Sequence, residues 1–302
     1  MRRSRRFLNK LRTKMDAQIA ATSNNDIDIC FVSSIFGEDM EYADKPSDVS
    51  TVWLDDSDYY SVFRSKKKNA KIETTFRFFL FTNLPDMAVS DGWTKIVKTD
   101  DDLPYRRFIT KSRWPKFMGW QDPQLQGCET IFYFDGHYQP NPARYGDFRS
   151  VSREIQNFDG GLAQVPHPHK RTALQEFSRI LFKHKDIPSN VEKSVLWLQA
   201  QPDFDNQCTL YQNAFFGYNP RNPQFQKAAT FFWDQYSLEQ DSWRDQPLWC
   251  YTLQHSRITP LLLKDEPHGL FGKDKQRTGH NDHQYDEHAD GKSSNSQSKS
   301  TT

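Results

Sequence analysis

The sequence lacks any long apolar run. Only 36% of its 302 residues are hydrophobic, and no apolar stretch approaches the roughly 20 residues that a membrane-spanning helix needs. The basic residues at the start are not followed by the apolar segment of a secretory signal. These absences predict a soluble protein with no membrane span, and they leave its compartment open.

An excess of one charge is also missing. The 40 Lys and Arg residues are balanced by 39 Asp and Glu residues, which leaves a net charge of +1. A balanced chain gives no electrostatic reason to expect a nucleic-acid partner. The motifs that mark P-loop ATPases, Rossmann dehydrogenases, serine hydrolases and zincins do not occur either. We therefore expect none of these four enzyme classes.

Cysteine is scarce. The four residues of this type, Cys30, Cys128, Cys208 and Cys250, stand far apart and form no C-x-x-C pair. This spacing argues against a zinc module. Disulfides stay possible in an oxidising compartment, but the spacing does not say whether the cysteines pair or which partners they would take.

Aromatic residues are abundant at 14% of the chain, which predicts a core built from large rings. The composition divides the chain into three parts. Residues 1–23 are expected to form a basic arm, residues 24–272 one domain, and residues 273–302 a disordered polar tail. The arm could touch phosphates or a membrane surface, or it could be a solvated leader.

Within the domain, short apolar runs alternate with helical patterns, which is typical of an α/β fold. Strands are predicted at residues 27–36, 75–83, 93–97 and 130–134. Ser189 and Glu192 have the spacing of a capping box that would open a helix. Earlier and later apolar stripes predict two more helices. Their residues are Leu174, Phe177 and Leu181, and Phe225, Ala228, Ala229, Phe232 and Tyr236.

A carboxylate follows the fourth predicted strand. Asp135 stands where open α/β sheets bind ligands, just beyond the C-terminal end of a strand. His137 would project to the same side, so the pair could hold Mn²⁺ or Mg²⁺ against a nucleoside diphosphate. The alternative is a turn aspartate with no ligand, which is the commoner role for an aspartate after a strand.

A basic and aromatic stretch precedes that strand. Arg113 and Lys116 could clamp a diphosphate, because arginine supplies a planar fork of donors and lysine a point charge. The alternative is a solvated surface segment.

A third group of candidates surrounds Asp245. This carboxylate could accept a proton or a hydrogen bond from a sugar hydroxyl, while Trp243 could offer a ring face to a pyranose. The neighbours Arg244 and Gln246 are placed in the same site. Alternatively, Asp245 is simply the N-cap of the next helix, with Pro247 in its first turn.

Several short motifs stand in order between Ser34 and Gln246. They are Ser34-Ile35-Phe36-Gly37, Lys45-Pro46, Phe79-Leu80-Phe81-Thr82-Asn83, Gly92-Trp93, Ser112-Arg113-Trp114-Pro115-Lys116-Phe117, Tyr133-Phe134-Asp135-Gly136, His167-Pro168, Gln212, Gly217 and Arg244-Asp245-Gln246. This order resembles the plant and microbial family of hexosyltransferase-like proteins related to mucilage synthesis and turgor regulation.

The resemblance implies a GT-A-like α/β domain with a mixed central sheet flanked by helices. It also implies transfer of a hexose from a nucleotide-sugar donor to a glycan or another hydroxyl acceptor. Asp135 takes the place of the family's strand-end aspartate, and Arg244, Asp245 and Gln246 belong to the donor or acceptor site. The Golgi is the compartment that the resemblance suggests. A noncatalytic glycan-binding or scaffold protein that kept the fold remains the alternative.

Overall fold

The computed structural model describes residues 27–37, 74–89, 92–136, 138–141, 144–169, 171–263 and 270–273. The predicted basic arm lies outside the described residues, as does the predicted polar tail beyond its first residue. His137 lies outside them too. No helix in these described ranges is long and apolar enough to cross a bilayer.

A seven-stranded sheet forms the centre of the described part. Its strands are rich in Phe, Ile and Val, and β4 is buried at every position because both faces of the sheet are covered. The four predicted strands are confirmed to within one residue at each end. The strands are β1 Ile27–Ile35, β2 Thr74–Thr82, β3 Trp93–Val97, β4 Thr130–Phe134, β5 Tyr138–Pro140, β6 Leu162–Pro166, β7 Tyr211–Tyr218, β8 Leu261–Leu262 and β9 Phe271–Lys273.

The order of strands in this sheet is β3-β2-β1-β4-β7-β6-β8, while β5 and β9 pair separately. β1 is parallel to both β2 and β4, whereas β7 is antiparallel to β4 and β6, so the sheet is mixed. The chain runs outward from β1 to β3 and then returns to the other side of β1 as β4. In open α/β sheets, a switch of this kind marks the place, at the carboxyl ends of the strands, where ligands commonly bind.

Helices cover both faces of the sheet. In the described ranges they are α1 Phe108–Phe117, α2 Tyr145–Gln156, α3 Ala173–Phe182, α4 Pro188–Gln199, α5 Pro223–Tyr236 and α6 Asp245–His255. Helices α1, α5 and α6 pack on one face through rings such as Phe117, Phe232 and Trp249. Helix α2 packs on the other face through Phe148 and Ile155. This arrangement confirms the predicted α/β class.

The helix predictions are confirmed in position, but one start is wrong. All five residues of the stripe from Phe225 to Tyr236 are buried in α5. Helix α4 begins at Pro188 after the N-cap Ile187, so Ser189 and Glu192 form no capping box. The reason is that proline, with its fixed φ and no N–H, is already suited to the first helical position. A full capping box occurs instead at Thr172, at the start of α3.

The four cysteines form two disulfides. Cys30 in β1 is bonded to Cys128 before β4, and Cys208 before β7 is bonded to Cys250 in α6. The first bond links the two central strands of the sheet near the start of β4. No free thiol remains among the cysteines, so none of them is available as a nucleophile or a metal ligand.

Candidate functional site

Two segments far apart in sequence meet at the carboxyl end of β4. Helix α1 brings Lys116, whose Nζ lies 2.8 Å from Oδ2 of Asp245 and 3.7 Å from Oδ1 of Asp135. Nε of Arg113 lies 3.3 Å from the same oxygen of Asp245. We refer to these four residues as the charge cluster. The structure therefore brings together four residues that were predicted as site candidates in separate segments of the sequence.

The local structure explains why these side chains converge. Arg113 and Lys116 are three residues apart in α1, so they lie on one face of the helix. Asp135 follows Tyr133 by two positions, so both side chains lie on the same side of the sheet. That side is the one covered by α1 and α6, since Tyr133 packs there beside Phe117 and Trp249. The N–H of Asp135 donates to the carbonyl of Ala214 in β7, which fixes the end of β4.

A hydroxyl network connects the cluster to β1. The hydroxyl of Tyr133 donates to Oδ1 of Asp135 at 3.1 Å, and Oγ of Ser34 lies 3.0 Å from the same phenol oxygen. Ser34 also donates to the carbonyl of Ser112 in α1. Because Ser34 lies near the end of β1 and Tyr133 lies in β4, the network spans the switch point. Neither residue was predicted as part of the site. The two-residue spacing of Tyr133 and Asp135 could have indicated Tyr133, because alternate residues of an extended segment lie on the same side of a sheet.

The charges within the cluster keep Asp245 ionised. Burial alone would raise the pKa of Asp245, but the positive charges of Lys116 and Arg113 outweigh it and lower the pKa to about 2. Burial lowers the pKa of Lys116, with Asp135 and Asp245 acting in the opposite direction. Burial also raises the pKa of Tyr133, and the nearby charge of Asp135 raises it further. The phenol is therefore a hydrogen-bond donor at neutral pH.

Exposure differs strongly between the two carboxylates. The side chain of Asp135 is 24% exposed, whereas that of Asp245 is 9% exposed and that of Lys116 only 1%. Asp135 is thus the carboxylate that a ligand can reach. Arg113 and Lys116 are not a solvated surface segment, and that alternative is wrong. They lie inside the fold because α1 packs on the sheet, and their charges are directed at Asp245.

The start of α6 differs from both sequence interpretations of its residues. The N-cap is Arg244, and Asp245 lies in the first turn with its side chain turned towards α1, so the N-cap assignment of Asp245 is wrong. The ring of Trp243 is buried and its Nε1 donates to the carbonyl of Lys185. An exposed face for a pyranose is therefore wrong as well, because the ring is part of the core. Gln246 donates to the carbonyl of Tyr211.

Arg244 is the remaining predicted residue. Its side chain is half-buried, and its charge contributes to the low pKa of Asp245. Its side chain also borders a small recess lined by Trp197, Tyr236 and Ser242. Arg244 is thus a half-buried cation close to Asp245.

The loop that precedes α6 is fixed by two acidic residues that sequence reasoning missed. Both carboxylate oxygens of Glu239 accept backbone N–H groups at the start of α1, from Arg106 and Arg107. The carboxylate of Asp186 accepts the N–H of Trp243 at 3.0 Å and the hydroxyl of Ser242. These contacts hold the loop against α1 and α4, and so they set where Asp245 begins α6.

The predicted divalent cation fits the described residues poorly. Asp135 already accepts a hydrogen bond from Tyr133, and the ammonium of Lys116 stands where a second positive ion would be repelled. In the part of the chain that the structure describes, no three His, Cys, Asp or Glu side chains come together as a metal site. His137 lies outside that part, so the pair Asp135 and His137 stays a prediction.

Comparison with known proteins adds no assignment. No protein-family model matches the chain, and a search of curated proteins finds no significant match. The resemblance to hexosyltransferase-like proteins therefore depends on the quoted motifs, and the function has to be argued from the geometry of the site.

Proposed function

We propose that this protein is a hexosyltransferase that moves a sugar from a nucleotide-sugar donor to a hydroxyl acceptor. The observation that carries the proposal is the charge cluster at the switch point between β1 and β4, with Asp135 facing outward. Open α/β sheets bind nucleotides and related ligands at this place. A GT-A-like arrangement belongs to the proposal, and the parallel strands β1 to β4 with the antiparallel β7 support it.

The electrostatics support an anionic ligand. Lys116 and Arg113 balance the two carboxylates of the cluster, so the neighbouring Arg244 leaves one positive charge in excess. A nucleoside diphosphate is an anion of the class that open α/β sheets bind at the carboxyl ends of their strands. Arg244 can contact its phosphate oxygens through two parallel hydrogen bonds, since guanidinium and phosphate have matching geometry.

The proposed reaction is a displacement at the anomeric carbon of the sugar. The acceptor oxygen forms a bond to that carbon while the bond from carbon to the diphosphate oxygen breaks. The electron pair leaves with the diphosphate, whose growing charge Arg244 stabilises. The proton of the acceptor hydroxyl passes to Asp135, the exposed carboxylate. Asp245 does not contact the sugar in this scheme but holds Lys116 and Arg113 in place.

The two disulfides support an oxidising compartment, because such bonds persist along the secretory route and are rare in the cytosol. The proposal therefore includes the Golgi, as the resemblance suggests. A glycan is the expected acceptor, and no nucleic acid is expected. The divalent cation predicted at Asp135 and His137 stays a prediction that binding measurements can test.

A panel of nucleotide sugars tests the proposal. A true donor at about 100 times its dissociation constant should stabilise the protein by about 2.7 kcal/mol, measured as a rise in melting temperature. The same donor should be hydrolysed or transferred. Asp135→Asn should abolish turnover with little change in melting temperature. The matched control is Asp28→Asn, which removes a half-buried carboxylate paired with Arg77 at the opposite end of β1.

The outcomes separate the candidate functions. If no nucleotide sugar stabilises the protein, the transferase proposal fails. If glycans bind and nucleotide sugars do not, the protein is a noncatalytic glycan-binding descendant. If Asp135→Asn keeps full turnover, the site lies elsewhere in the protein.

A further inference from the structure

We infer that the ammonium of Lys116 occupies the cation position of this site, so that it binds a nucleoside diphosphate without a divalent metal ion; this rests on the proposed function. In this arrangement Lys116 takes the place of the cation predicted at Asp135 and His137. The ammonium offsets the charge of Asp135, which is a different role from the direct phosphate clamp expected from the sequence.

The position of the ammonium supports this assignment. Nζ of Lys116 lies between carboxylates from two different elements, Asp135 after β4 and Asp245 in α6. Oxygen atoms from two carboxylates are what a divalent cation requires in such a site. Here a fixed ammonium already meets both of them. A divalent ion placed between the same carboxylates would be repelled by it at a distance of a few ångströms.

The surroundings keep the ammonium in place. Its Nζ lies 5.2 Å from the ring centroid of Tyr133 and 5.6 Å from that of Phe117, close enough for cation–π attraction. The side chain is 1% exposed, so water does not screen its ion-pair contacts with the two carboxylates. The lysine is covalently part of the chain, whereas a metal ion could exchange with solvent.

The charge balance gives the ammonium a function. A bare Asp135 at the entrance would repel a diphosphate, because both are anions. Lys116 offsets that charge from behind, at 3.7 Å, and leaves the outward side of Asp135 accessible. With Asp245 compensated by Arg113 as well, the charges of the cluster cancel, so an anion can approach Asp135 without a metal ion to neutralise that carboxylate. Divalent ions usually supply this neutralisation in sites that release a diphosphate.

The first experiment measures binding of UDP and GDP to the full wild-type chain by calorimetry, once with EDTA and once with Mn²⁺. We expect the dissociation constant of the nucleotide that binds to differ by less than about tenfold between the two conditions. Binding that is lost with EDTA and restored by Mn²⁺ would overturn the inference and leave the transferase proposal intact. Absence of nucleotide binding in both conditions would overturn the transferase proposal, and the metal-free nucleotide site with it.

The second experiment asks whether the ammonium holds a cation position. Lys116→Ala removes it and leaves Asp135 and Asp245 facing a vacated site, so we expect Mn²⁺ alone to raise the melting temperature of this variant. Mn²⁺ should not raise that of the wild type. The matched control is Lys111→Ala, which removes a lysine that is similarly buried on the same helix and whose ion pair, within the described residues, is with Asp100.

Either reversal contradicts the inference. If Mn²⁺ raises the melting temperature of the wild type, a metal position is already open there. If Mn²⁺ does not raise the melting temperature of Lys116→Ala, the ammonium does not occupy a position that a metal ion could take. Lys116→Met keeps the apolar stem of the side chain and provides the second variant if the alanine protein fails to fold. Circular dichroism establishes that each variant is folded before Mn²⁺ is added.

Discussion

Replacing Asp245 by asparagine tests the charge cluster most directly, because the shape of the side chain is kept and its charge is removed. The Asp245 carboxylate is almost fully buried between Lys116 at 2.8 Å and Arg113 at 3.3 Å. The substitution would remove the carboxylate that pairs with Arg113 and leave Lys116 only its longer contact with Asp135, at 3.7 Å. Removing one member of a buried ion pair typically costs about 3–5 kcal/mol of unfolding free energy.

The lowered pKa of Asp245 gives a second, independent value for the stabilisation that this carboxylate contributes to the fold. Its value of about 2 lies below the ordinary 3.8, although burial by itself would raise it. The difference between these two pKa values corresponds to about 2 kcal/mol by which the folded protein favours the ionised form of the carboxylate. The lost partner of Arg113 and the weakened pairing of Lys116 add to the loss, so we expect the full cost of about 3–5 kcal/mol. For a domain of this size, the melting temperature should fall by on the order of 10 °C.

The sign of the pH dependence follows from the same pKa. Because the folded value lies below the unfolded one, the unfolded chain binds more protons as the pH falls through this window. The stabilisation from Asp245 is therefore present above about pH 4 and is lost between about pH 4 and pH 2. The difference in stability between the wild type and Asp245→Asn should shrink over that interval.

Urea unfolding followed by tryptophan fluorescence and circular dichroism measures the effect at pH 7 and at lower pH. Asp135→Asn is the comparison, since its carboxylate is partly exposed and should cost less than about 1 kcal/mol. If Asp245→Asn loses no more stability than Asp135→Asn, the cluster contributes nothing net to folding. A difference between wild type and Asp245→Asn that does not change between about pH 5 and pH 2 would refute the pKa argument, since no carboxylate would be titrating there.

Three further predictions concern the scaffold. Replacing both Cys30 and Cys128 by alanine should lower the unfolding free energy in urea by about 4–5 kcal/mol, because the bond closes a loop with a sequence separation of 98; an unchanged value would mean that the bond does not form. Burial raises the pKa of Tyr218 and other core tyrosines, so above about pH 10 the unfolded chain loses their protons first. The unfolding free energy should therefore fall by about 1.4 kcal/mol per pH unit for each of them. Urea midpoints that stay constant up to about pH 11 would contradict this. Gly217→Ala should cost about 1–3 kcal/mol in the same assay, because its Cβ would lie 2.5 Å from a ring carbon of Phe132; a neutral variant would show that the ring can move away.

The strands were predictable because they are continuous apolar runs, whose physical signal lies in the local sequence. β3 and β4 match their predicted bounds, and β1 and β2 differ by one residue at their ends. The ends depend on where the neighbouring strand stops pairing, and that information is not local. The start of α4 was mispredicted for a different reason, since a plausible capping pair competed with Pro188.

Helix α1 was not predicted as a helix. Its sequence is rich in Lys and Arg and contains Pro115 near its end, so its pattern does not separate an apolar face from a polar one. The helix is buried through contacts with β1, β2 and β4 that no local pattern reveals. Its lysine and arginine are tolerated inside because carboxylates from elsewhere in the chain meet them.

The sequence by itself determined the class of the fold and the residue types of the site, because alternating apolar runs and a carboxylate after a strand are local properties. Only the tertiary structure decided that Lys116 and Arg113 point inward to Asp245 and that Asp135 alone among the cluster carboxylates faces outward. It also decided the pairing of the four cysteines, which allow three connectivities on paper. The physical reason is common to these cases. Charge pairing and cross-linking depend on distances between segments that are far apart in the chain, and packing of the sheet and helices sets those distances.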